Sequence, residues 1–389
     1  MESLLKAGEL QYRYSKKLFE EFIGTRKHIK EILYSVETPT LLMDLEGVKS
    51  KYVQIKYHLP EVSIYYAVKA NDHRDILRVL HSVGSGFEVA SCKELQEVLS
   101  LGVSPERIIS SNPVKPEEFI DYAYNAGVNR FAVDSFTEVD KIARITQRAG
   151  VYVRLTVPNE GSEWPLSRKF GVNEETALKI LEYARDKGLI PIGVTFHVGS
   201  QCNNLRNWFI AVKSSSNLWN KALSKGIKLL VLNMGGGIPV RYTGEVLRIE
   251  DIAYYVRGLL RKYFTSLPYE LQIEPGRSLV GDQGILVTRV IGKAQRGREN
   301  WLYLDTGVFN GLAEVLGGIR YPVFAEGKGE LKEWILAGVS CDSLDVIAKS
   351  VYLPEPEVGD RIFLLSAGAY TSVYASEFNG FPKLKVKCL

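Results

Sequence analysis

Strand-length apolar runs alternate with amphipathic segments through the middle of the chain. Eight runs rich in β-forming residues follow in order, at residues 63–70, 84–91, 107–112, 130–135, 152–157, 192–199, 229–236 and 270–277. Segments with apolar residues at helical spacing lie between them, among them 92–102, 115–126, 136–148, 174–187 and 250–264. Strands that alternate with helices pair in parallel through right-handed crossovers. Eight such units predict a (β/α)8 barrel of the TIM type rather than an open doubly wound sheet.

The pattern changes after residue 278, where strand-like runs follow one another without helices between them. These runs cover residues 284–291, 301–304, 332–339 and 361–365. Residues 1–37 are polar and helical in pattern, and residues 38–45 have the pattern of a strand that enters the barrel. We therefore predict two domains: a barrel over 38–277, and an all-β domain formed by 278–389 together with 1–37.

Composition excludes several classes of protein. The chain has 389 residues and is 46% hydrophobic, which is enough for a large core. Its net charge of +4, without a long basic run, argues against nucleic-acid binding. No apolar run is long enough for a membrane span, and no apolar segment after Met1 indicates a signal peptide. The four cysteines are scattered without CxxC spacing, which predicts no metal site and a reduced, cytoplasmic protein.

Chemistry in a TIM-type barrel occurs at the carboxyl ends of the strands. The ends of the eight predicted strands carry polar residues or glycine: Lys69, Glu88, Ser91, Asn112, Asp134, Arg154, His197, Gly235, Gly236, Gly237, Glu274 and Arg277. Lys69 ends an apolar run, and burial of its amine would lower its pKa and make it a nucleophile. A lysine that merely extends into solvent at a strand end is the commoner alternative.

Several of these positions together indicate a particular cofactor. The glycines 235–237 supply backbone N–H groups that suit a phosphate, or form a flexible turn. Arg277 can grip phosphate oxygens or form a surface ion pair. His197 can stack on an aromatic ring, and Glu274 can hold a proton on a ring nitrogen, although each is also compatible with a structural role. A lysine for a Schiff base, a phosphate cradle and an acid for a pyridinium nitrogen are what pyridoxal phosphate requires.

Ordered motifs connect the chain to a known family. They are YYAVKAN (65–71), GFEVAS (86–91), WPLSRKFG (164–171), FHVGSQ (196–201), NMGGG (233–237), EPGRS (274–278), CDSLD (341–345) and GAYTSVYASEFNGF (368–381). Through these motifs the chain resembles the fold-type III pyridoxal-phosphate decarboxylases, the ornithine, lysine, arginine and diaminopimelate group related to alanine racemase. WPLSRKFG with CDSLD is most similar to bacterial ornithine/lysine decarboxylases, whereas diaminopimelate decarboxylases typically have Glu at the position of Asp342.

The resemblance implies roles for residues of the barrel. Lys69 would bind the cofactor covalently, His197 would stack on its ring, and Glu274 would pair with the pyridine nitrogen. Glu88 and Arg154 would lie near the cofactor. Its phosphate would be bound by Ser200, Gly235, Gly236, Gly237, Arg277 and Tyr370.

The resemblance also implies a homodimer with shared active sites. Cys341 and Asp342 would enter the site from the partner subunit, with Cys341 protonating the substrate Cα; a buried structural thiol is the alternative for Cys341. Lys169 and Asp345 resemble the pair that bridges the dimer. The β domain would thus complete the active site and the dimer interface.

The substrate is left open between alternatives. Ornithine and lysine decarboxylases use an acidic residue to bind the distal amine, but Gly317 and Gly318 occupy its expected position. The substrate-binding candidates are Asp342, Glu314, Gly318, Arg320 and Phe378. Ornithine or lysine, which would yield a diamine for polyamine biosynthesis, is favoured. A larger or acidic amino-acid conjugate of a siderophore or antibiotic pathway, or diaminopimelate, is the alternative.

The two rival functions are racemisation and a non-catalytic regulatory role. A racemase of the related fold places Arg at the pyridine nitrogen, so Glu274 argues against racemisation. A non-catalytic regulatory homologue would be expected to lack parts of the site, yet Lys69, Arg277, Cys341 and Tyr370 are all present.

Overall fold

The computed structural model describes residues 2–24, 27–146, 148–164, 169–327 and 329–389. The chain divides into two compact units. One comprises Lys49–Pro239 and Leu247–Ser278, and the other comprises Met1–Val48, Val240–Val246 and Leu279–Leu389. The short segment Val240–Val246, which the sequence pattern did not distinguish, therefore leaves the first unit and returns to it.

Strands and helices in the described residues are numbered in chain order. The strands are β1 (Thr40–Met43), β2 (Val62–Ala67), β3 (Gly86–Glu88), β4 (Ile108–Ile109), β5 (Arg130–Val133), β6 (Gly150–Arg154), β7 (Ser162–Trp164), β8 (Ile190–Thr195), β9 (Ser200–Cys202), β10 (Val231–Asn233), β11 (Glu270–Ile273), β12 (Gly284–Arg296), β13 (Glu299–Leu304), β14 (Val323–Phe324), β15 (Leu331–Ala337), β16 (Val346–Pro354), β17 (Arg361–Leu364) and β18 (Lys385–Cys388). The α-helices are α1 (Glu2–Ile23), α2 (Lys27–Ser35), α3 (Leu45–His58), α4 (Arg74–Ser82), α5 (Cys92–Ser100), α6 (Glu117–Asn125), α7 (Phe136–Ile145), α8 (Glu174–Asp186), α9 (Leu205–Ser224), α10 (Ile249–Tyr263) and α11 (Arg277–Val280).

Eight parallel strands form the barrel of the first unit. Their order is β4-β3-β2-β11-β10-β8-β6-β5, and a parallel bridge between Ser110 and Phe131 connects β4 to β5. Each strand coincides with one of the eight predicted runs, so the predicted barrel is confirmed. Gly193 shows how closely the strands approach, because a Cβ at this position would lie 2.1 Å from the Val231 carbonyl oxygen of β10.

Short polar side chains cap the first turn of four barrel helices. Ser91, Ser135, Asn173 and Asn204 each accept a hydrogen bond from a backbone N–H in the first turn of α5, α7, α8 and α9. Strands β3 and β5 pass into α5 and α7 through loops of a few residues, whereas longer segments that contain β7 and β9 separate β6 from α8 and β8 from α9. None of the helices in the described ranges is both long and apolar enough to cross a membrane.

The second unit is built on a mostly antiparallel sheet of order β14-β17-β12-β13-β15-β16. Strand β1 also pairs here, antiparallel to β12 and parallel to β18, although residues 38–45 were expected at the start of the barrel. Helix α1 packs on this sheet through Leu18 and Phe19, whose neighbours include Leu42, Ile285 and Phe363. Burial of these apolar side chains explains why the N-terminal helices belong to the β unit.

A buried ion pair supports the barrel between β4 and β5. The Lys115 side chain is fully buried, its Nζ lies 2.9 Å from Glu138 Oε1, and it donates to the carbonyl oxygens of Asn112 and Ala132 at 2.9 and 2.7 Å. Burial lowers the pKa of Lys115 to about 8, while Glu138 opposes that effect. The sequence did not single out either residue, because a Lys at the start of the predicted helical segment 115–126 gives no sign of burial.

Removing the charge of Lys115 should destabilise the protein strongly. We expect Lys115→Met to lower the free energy of unfolding by about 3 kcal/mol, because it leaves a buried carboxylate with one partner fewer. The loss is expected at the lower end of the range of about 3–5 kcal/mol for a broken buried pair, because Lys141 Nζ still lies 2.5 Å from Glu138 Oε2.

The matched control is Lys179→Met, which removes an exposed pair with Glu175 at 2.7 Å. An exposed pair within one helix contributes less than about 1 kcal/mol. Urea unfolding of both variants measures the difference, and equal losses would contradict a special role for the Lys115–Glu138 pair.

Candidate active site

Lys69 lies in a turn directly after a barrel strand. Strand β2 ends at Ala67, whose N–H donates to the Pro275 carbonyl at 3.2 Å, and a single 3-10 turn then covers Val68–Ala70. The Lys69 Nζ donates to Glu88 Oε2 at 2.5 Å. Its side chain is 48% exposed, so the expectation of a buried amine was wrong. The reason is that Lys69 stands beyond the strand, in the turn at the rim.

Glu88 gives the lysine a buried anionic partner. It ends β3 and is 1% exposed. Its other oxygen, Oε1, accepts the backbone N–H of Ser111 at 3.4 Å. A buried carboxylate is costly unless it is paired, so Glu88 and Lys69 constrain each other's position.

Glu274 is a second buried carboxylate at the same end of the barrel. Its Oε1 accepts from Asn233 Nδ2 at 2.6 Å and from the hydroxyl of Ser111. The Ser111 hydroxyl also lies 2.7 Å from the Tyr152 hydroxyl. Burial is the main cause that raises the pKa of Glu274, and the charge of Glu88 adds to it; Lys69 and the two donors act in the opposite direction.

His197 is held as a neutral ring. The backbone N–H of Gly199 donates to its Nδ1 at 3.0 Å, which places the proton of the neutral imidazole on Nε2. Burial lowers the pKa of His197 well below its usual value, and the positive charges of Arg154 and Lys69 lower it further. A flat uncharged ring in this position is suited to stacking on an aromatic group.

The glycine turn after β10 lies against the loop that carries His197. Gly235 and Gly237 have φ values of 62° and 110°, in the region that favours glycine. A Cβ on Gly235 would lie 2.2 Å from the Phe196 carbonyl oxygen, and one on Gly236 would lie 3.2 Å from His197 Nε2. Larger residues are therefore excluded from the turn by both conformation and contact.

Arg277 and Ser200 form a polar pair in the same unit. The Nε of Arg277 donates to Ser200 Oγ at 3.2 Å, and Arg277 is buried. A guanidinium and a hydroxyl close to backbone N–H groups are the groups that bind a phosphate.

The described end of the WPLSRKFG motif lies beside Arg154. The Phe170 ring is 5.3 Å from the guanidinium of Arg154 and 5.0 Å from Lys169 Nζ. The Gly171 N–H donates to Asp134 Oδ2 at 2.9 Å. Residues 165–168 of the motif lie outside the described residues.

In the β unit, Asp345 anchors the turn that carries Cys341 and Asp342. Asp345 is 2% exposed and accepts from Val308 N at 2.7 Å and from the N–H and hydroxyl of Ser340 at 3.0 and 2.6 Å. Asp342 Oδ1 accepts the Leu344 N–H at 2.8 Å. The ion pair predicted between Asp345 and Lys169 stays a prediction, and it would use a carboxylate that already accepts hydrogen bonds in its own chain.

Cys341 is exposed, which the alternative of a buried structural thiol does not explain. Its Sγ lies 3.5 Å from Asn379 Oδ1. Tyr370 has a positive φ of 55°, an uncommon conformation for a bulky residue. The Phe378 ring lies 4.6 Å from that of Phe309.

The remaining specificity candidates lie near one another along a 3-10 turn, Ala313–Gly317. Glu314 is buried. Gly318 ends the turn with φ 104°, and no atom lies within 4 Å of the Cβ that could be added there. Gly318 and Arg320 line a cavity of about 390 Å³ in this unit. The glycine is thus explained by turn geometry as well as by space.

The sequence did not single out the two donors to Glu274, Asn233 and Ser111, or Tyr152, whose hydroxyl contacts that of Ser111. Asn233 opens the NMGGG motif and Ser111 precedes Asn112, so their positions at strand ends were a usable signal. Tyr152 lies inside β6, and nothing in the sequence distinguishes it from an ordinary core tyrosine.

The chain is similar to known proteins over most of its length. Residues 45–281 match the family model of the pyridoxal-dependent decarboxylase, pyridoxal binding domain. The lysine/ornithine decarboxylase of Selenomonas ruminantium is 35% identical over 364 residues, which cover 93% of this chain and 92% of that protein.

Solved structures show the same fold. The crystal structure of SrLDC in complex with PLP and cadaverine is 33% identical, has a TM-score of 0.87, and covers 93% of each chain. The lysine/ornithine decarboxylase of Vibrio vulnificus complexed with putrescine is 32% identical with a TM-score of 0.86, covering 93% of this chain and 97% of that chain. The chain therefore belongs to the pyridoxal-dependent decarboxylases, a family of amino-acid carboxy-lyases.

Proposed function

We propose that this chain decarboxylates an L-amino acid with a distal amine, ornithine or lysine, and releases the corresponding diamine and CO2. The observation that carries the proposal is the buried Glu274 carboxylate, held by two neutral donors at the rim where Lys69 and Glu88 pair. Its relatives support the substrate class, since they include a lysine/ornithine decarboxylase and structures that contain cadaverine or putrescine.

The residues of the barrel fit pyridoxal phosphate by their chemistry. Lys69 supplies an amine for covalent attachment, and the neutral ring of His197 can stack on the pyridine ring. For the phosphate, Ser200 supplies a hydroxyl, Arg277 supplies a guanidinium, and Gly236 and Gly237 supply backbone N–H groups. The N–H of Gly235 donates to Asn233 Oδ1, so Gly235 contributes through the conformation of the turn. Tyr370 is proposed to add its hydroxyl to this set.

The chemistry that pyridoxal phosphate supplies when bound is an electron sink for the pair released as the carboxylate leaves. Glu274 holds a proton on the ring nitrogen, because an adjacent carboxylate favours the cation. Glu88 orients the amine of Lys69 through the contact at 2.5 Å. Cys341 is proposed to deliver a proton to the substrate Cα, and its exposure leaves the thiol accessible.

We further propose a cytoplasmic homodimer in which Cys341 and Asp342 enter the site of the partner subunit, with Lys169 and Asp345 at the interface. In this arrangement the β unit, which comprises Met1–Val48, Val240–Val246 and Leu279–Leu389, would complete the active site of the partner subunit. Asp342 would then pair with the distal ammonium of the substrate.

A larger or acidic substrate is the second candidate, and a specific feature favours it. Gly318 leaves open space where an acid was expected, and Arg320 lines the cavity of about 390 Å³ beside it. Arg320 could bind a substrate carboxylate there. A release assay over ornithine, lysine, arginine, diaminopimelate and larger conjugated amino acids separates the two candidates.

Replacing Lys69 should abolish covalent cofactor binding without unfolding the chain. After borohydride reduction, mass spectrometry should show the cofactor on the Lys69 peptide of the wild type and on no peptide of Lys69→Ala, whose turnover should fall by several orders of magnitude. Lys93→Ala is the control, because this lysine is exposed and its Nζ lies 3.6 Å from a carboxylate oxygen of Asp72. Near-normal turnover of Lys69→Ala would contradict the assignment.

Shared sites can be tested by mixing inactive variants. Equal amounts of Lys69→Ala and Cys341→Ala should recover about one quarter of wild-type activity, because half of the dimers are mixed and each has one intact site. Lys69→Ala mixed with Glu274→Ala is the control, since both residues lie in the barrel and no mixed dimer has an intact site. Equal behaviour of the two mixtures, with subunit exchange measured independently, would count against shared sites.

The role of Asp342 can be separated from its structural contact. Asp342→Asn keeps an acceptor for the Leu344 N–H but removes the charge. For a diamino acid we expect kcat/KM to fall by a factor that corresponds to a loss of roughly 2–5 kcal/mol in transition-state stabilisation, which is the loss for a broken buried charge pair. Efficient turnover of a substrate without a distal amine, with ornithine and lysine inert, would overturn the substrate choice and leave decarboxylation standing.

A further inference from the structure

Asn233 connects two parts of the barrel site that are far apart in sequence. Its Oδ1 accepts the backbone N–H of Gly235 at 2.8 Å, and its Nδ2 donates to Glu274 Oε1 at 2.6 Å. The side chain is fully buried at the end of β10. One amide thus contacts both the start of the glycine turn and the acid of the site.

We propose that Asn233 is a positioning residue that couples the phosphate-binding turn to Glu274, a role that rests on the proposed function. Its carbonyl fixes the turn that begins at Gly235, and its amide directs a neutral donor at the Glu274 carboxylate. Each contact depends on the orientation of the other, because one rigid amide plane makes both.

The orientation of this amide is fixed from a second side. Asn233 Nδ2 also lies 3.2 Å from Gln272 Oε1, and Gln272 Nε2 donates to Glu270 Oε1 at 2.8 Å. Glu270 in turn accepts from Arg130 at 2.8 Å. A flipped Asn233 would present oxygen to two acceptors and N–H to a donor, so the network admits a single orientation.

No other side chain of this size meets the same demands. Aspartate would keep an acceptor for Gly235 but would place a second carboxylate beside Glu274, and two adjacent carboxylates cannot both remain ionised easily. Alanine would leave the buried Gly235 N–H and one Glu274 lone pair without this partner, at a cost for each group.

The groups that face Glu274 make a neutral donor useful. Glu88 contributes a negative charge, Lys69 and Arg154 contribute positive charges, and the hydroxyls of Ser111 and Tyr152 complete the surroundings. Asn233 and Ser111 favour the ionised carboxylate without adding a charge. They differ in one respect, because Asn233 also accepts the Gly235 N–H of the glycine turn, whereas the second contact of the Ser111 hydroxyl is with Tyr152.

This difference defines the experiment, which measures binding to the full-length chain after removal of cofactor. Two quantities are measured. The affinity for inorganic phosphate reports on the glycine turn. The ratio of the affinities for pyridoxal phosphate and for an analogue with carbon in place of the ring nitrogen reports on Glu274. Loss of a hydrogen bond to a charged group such as Glu274 corresponds to roughly a tenfold change or more, and loss of a bond between neutral groups, such as that to the Gly235 N–H, corresponds to a change of up to roughly tenfold. Circular dichroism and thermal unfolding establish that each variant is folded.

We expect Asn233→Ala to lower both phosphate affinity and the affinity ratio about tenfold. Ser111→Ala, the matched control, should lower only the ratio. Asn233→Asp keeps the acceptor and the size of the side chain, so it should preserve phosphate affinity and change the affinity ratio. This variant replaces Asn233→Ala as the test if the alanine variant does not fold.

The outcomes are distinct. Unchanged phosphate affinity in Asn233→Ala, or a loss of phosphate affinity in Ser111→Ala equal to that in Asn233→Ala, would overturn the coupling role while leaving the proposed function intact. A wild-type chain that binds neither pyridoxal phosphate nor its analogue would instead overturn the proposed function, and the inference with it.

Discussion

Two carboxylates buried at one rim of a barrel are the constraint on which this site depends. A buried charge is costly unless it is paired or hydrogen-bonded. Glu88 is paired with the Lys69 amine, whereas Glu274 is held by neutral donors on Asn233 and Ser111. These five residues come from different strands, so both carboxylates are satisfied only when the barrel is closed in its observed register. Fold and site therefore stabilise each other.

The barrel and its rim could be predicted because their signals are local and repeated. Each parallel strand is buried on both faces and reads as an apolar run, and the residue that follows it must lie on the rim. Lys69, His197 and Glu274 could be collected in this way although some 200 residues separate the first from the last. The contacts inside the rim could not be predicted in this way, because the hydrogen bond between Ser111 and Tyr152 leaves no periodic pattern in the sequence.

Other features depend on tertiary contacts that the sequence pattern leaves undetermined. The run at 38–45 has the pattern of any buried strand, and only its pairing with β12 and β18 places β1 in the β unit. Lys69 is half exposed because its strand ends at Ala67, three residues before the end of the predicted run at 63–70. Asp345 was expected to bridge the dimer with Lys169, and nothing in the sequence indicated that its carboxylate is buried by the backbone turn that it holds.

The charges of the barrel site suit the cofactor of this family. The buried guanidinium of Arg277, beside Ser200, supplies positive charge for an anionic phosphate. Lys69 is paired with Glu88, and Arg154 interacts with the charges of Glu274 and Asp134.

His197 adds no charge, because Gly199 donates to its Nδ1 and its pKa is well below the usual value. The donors to Glu274 are also neutral, and this affects the charge that Glu274 can offer to the cofactor. A lysine or arginine in place of Asn233 would compensate the carboxylate permanently and compete with a protonated ring nitrogen for it. An amide stabilises the carboxylate by hydrogen bonding and leaves its negative charge available to the cofactor.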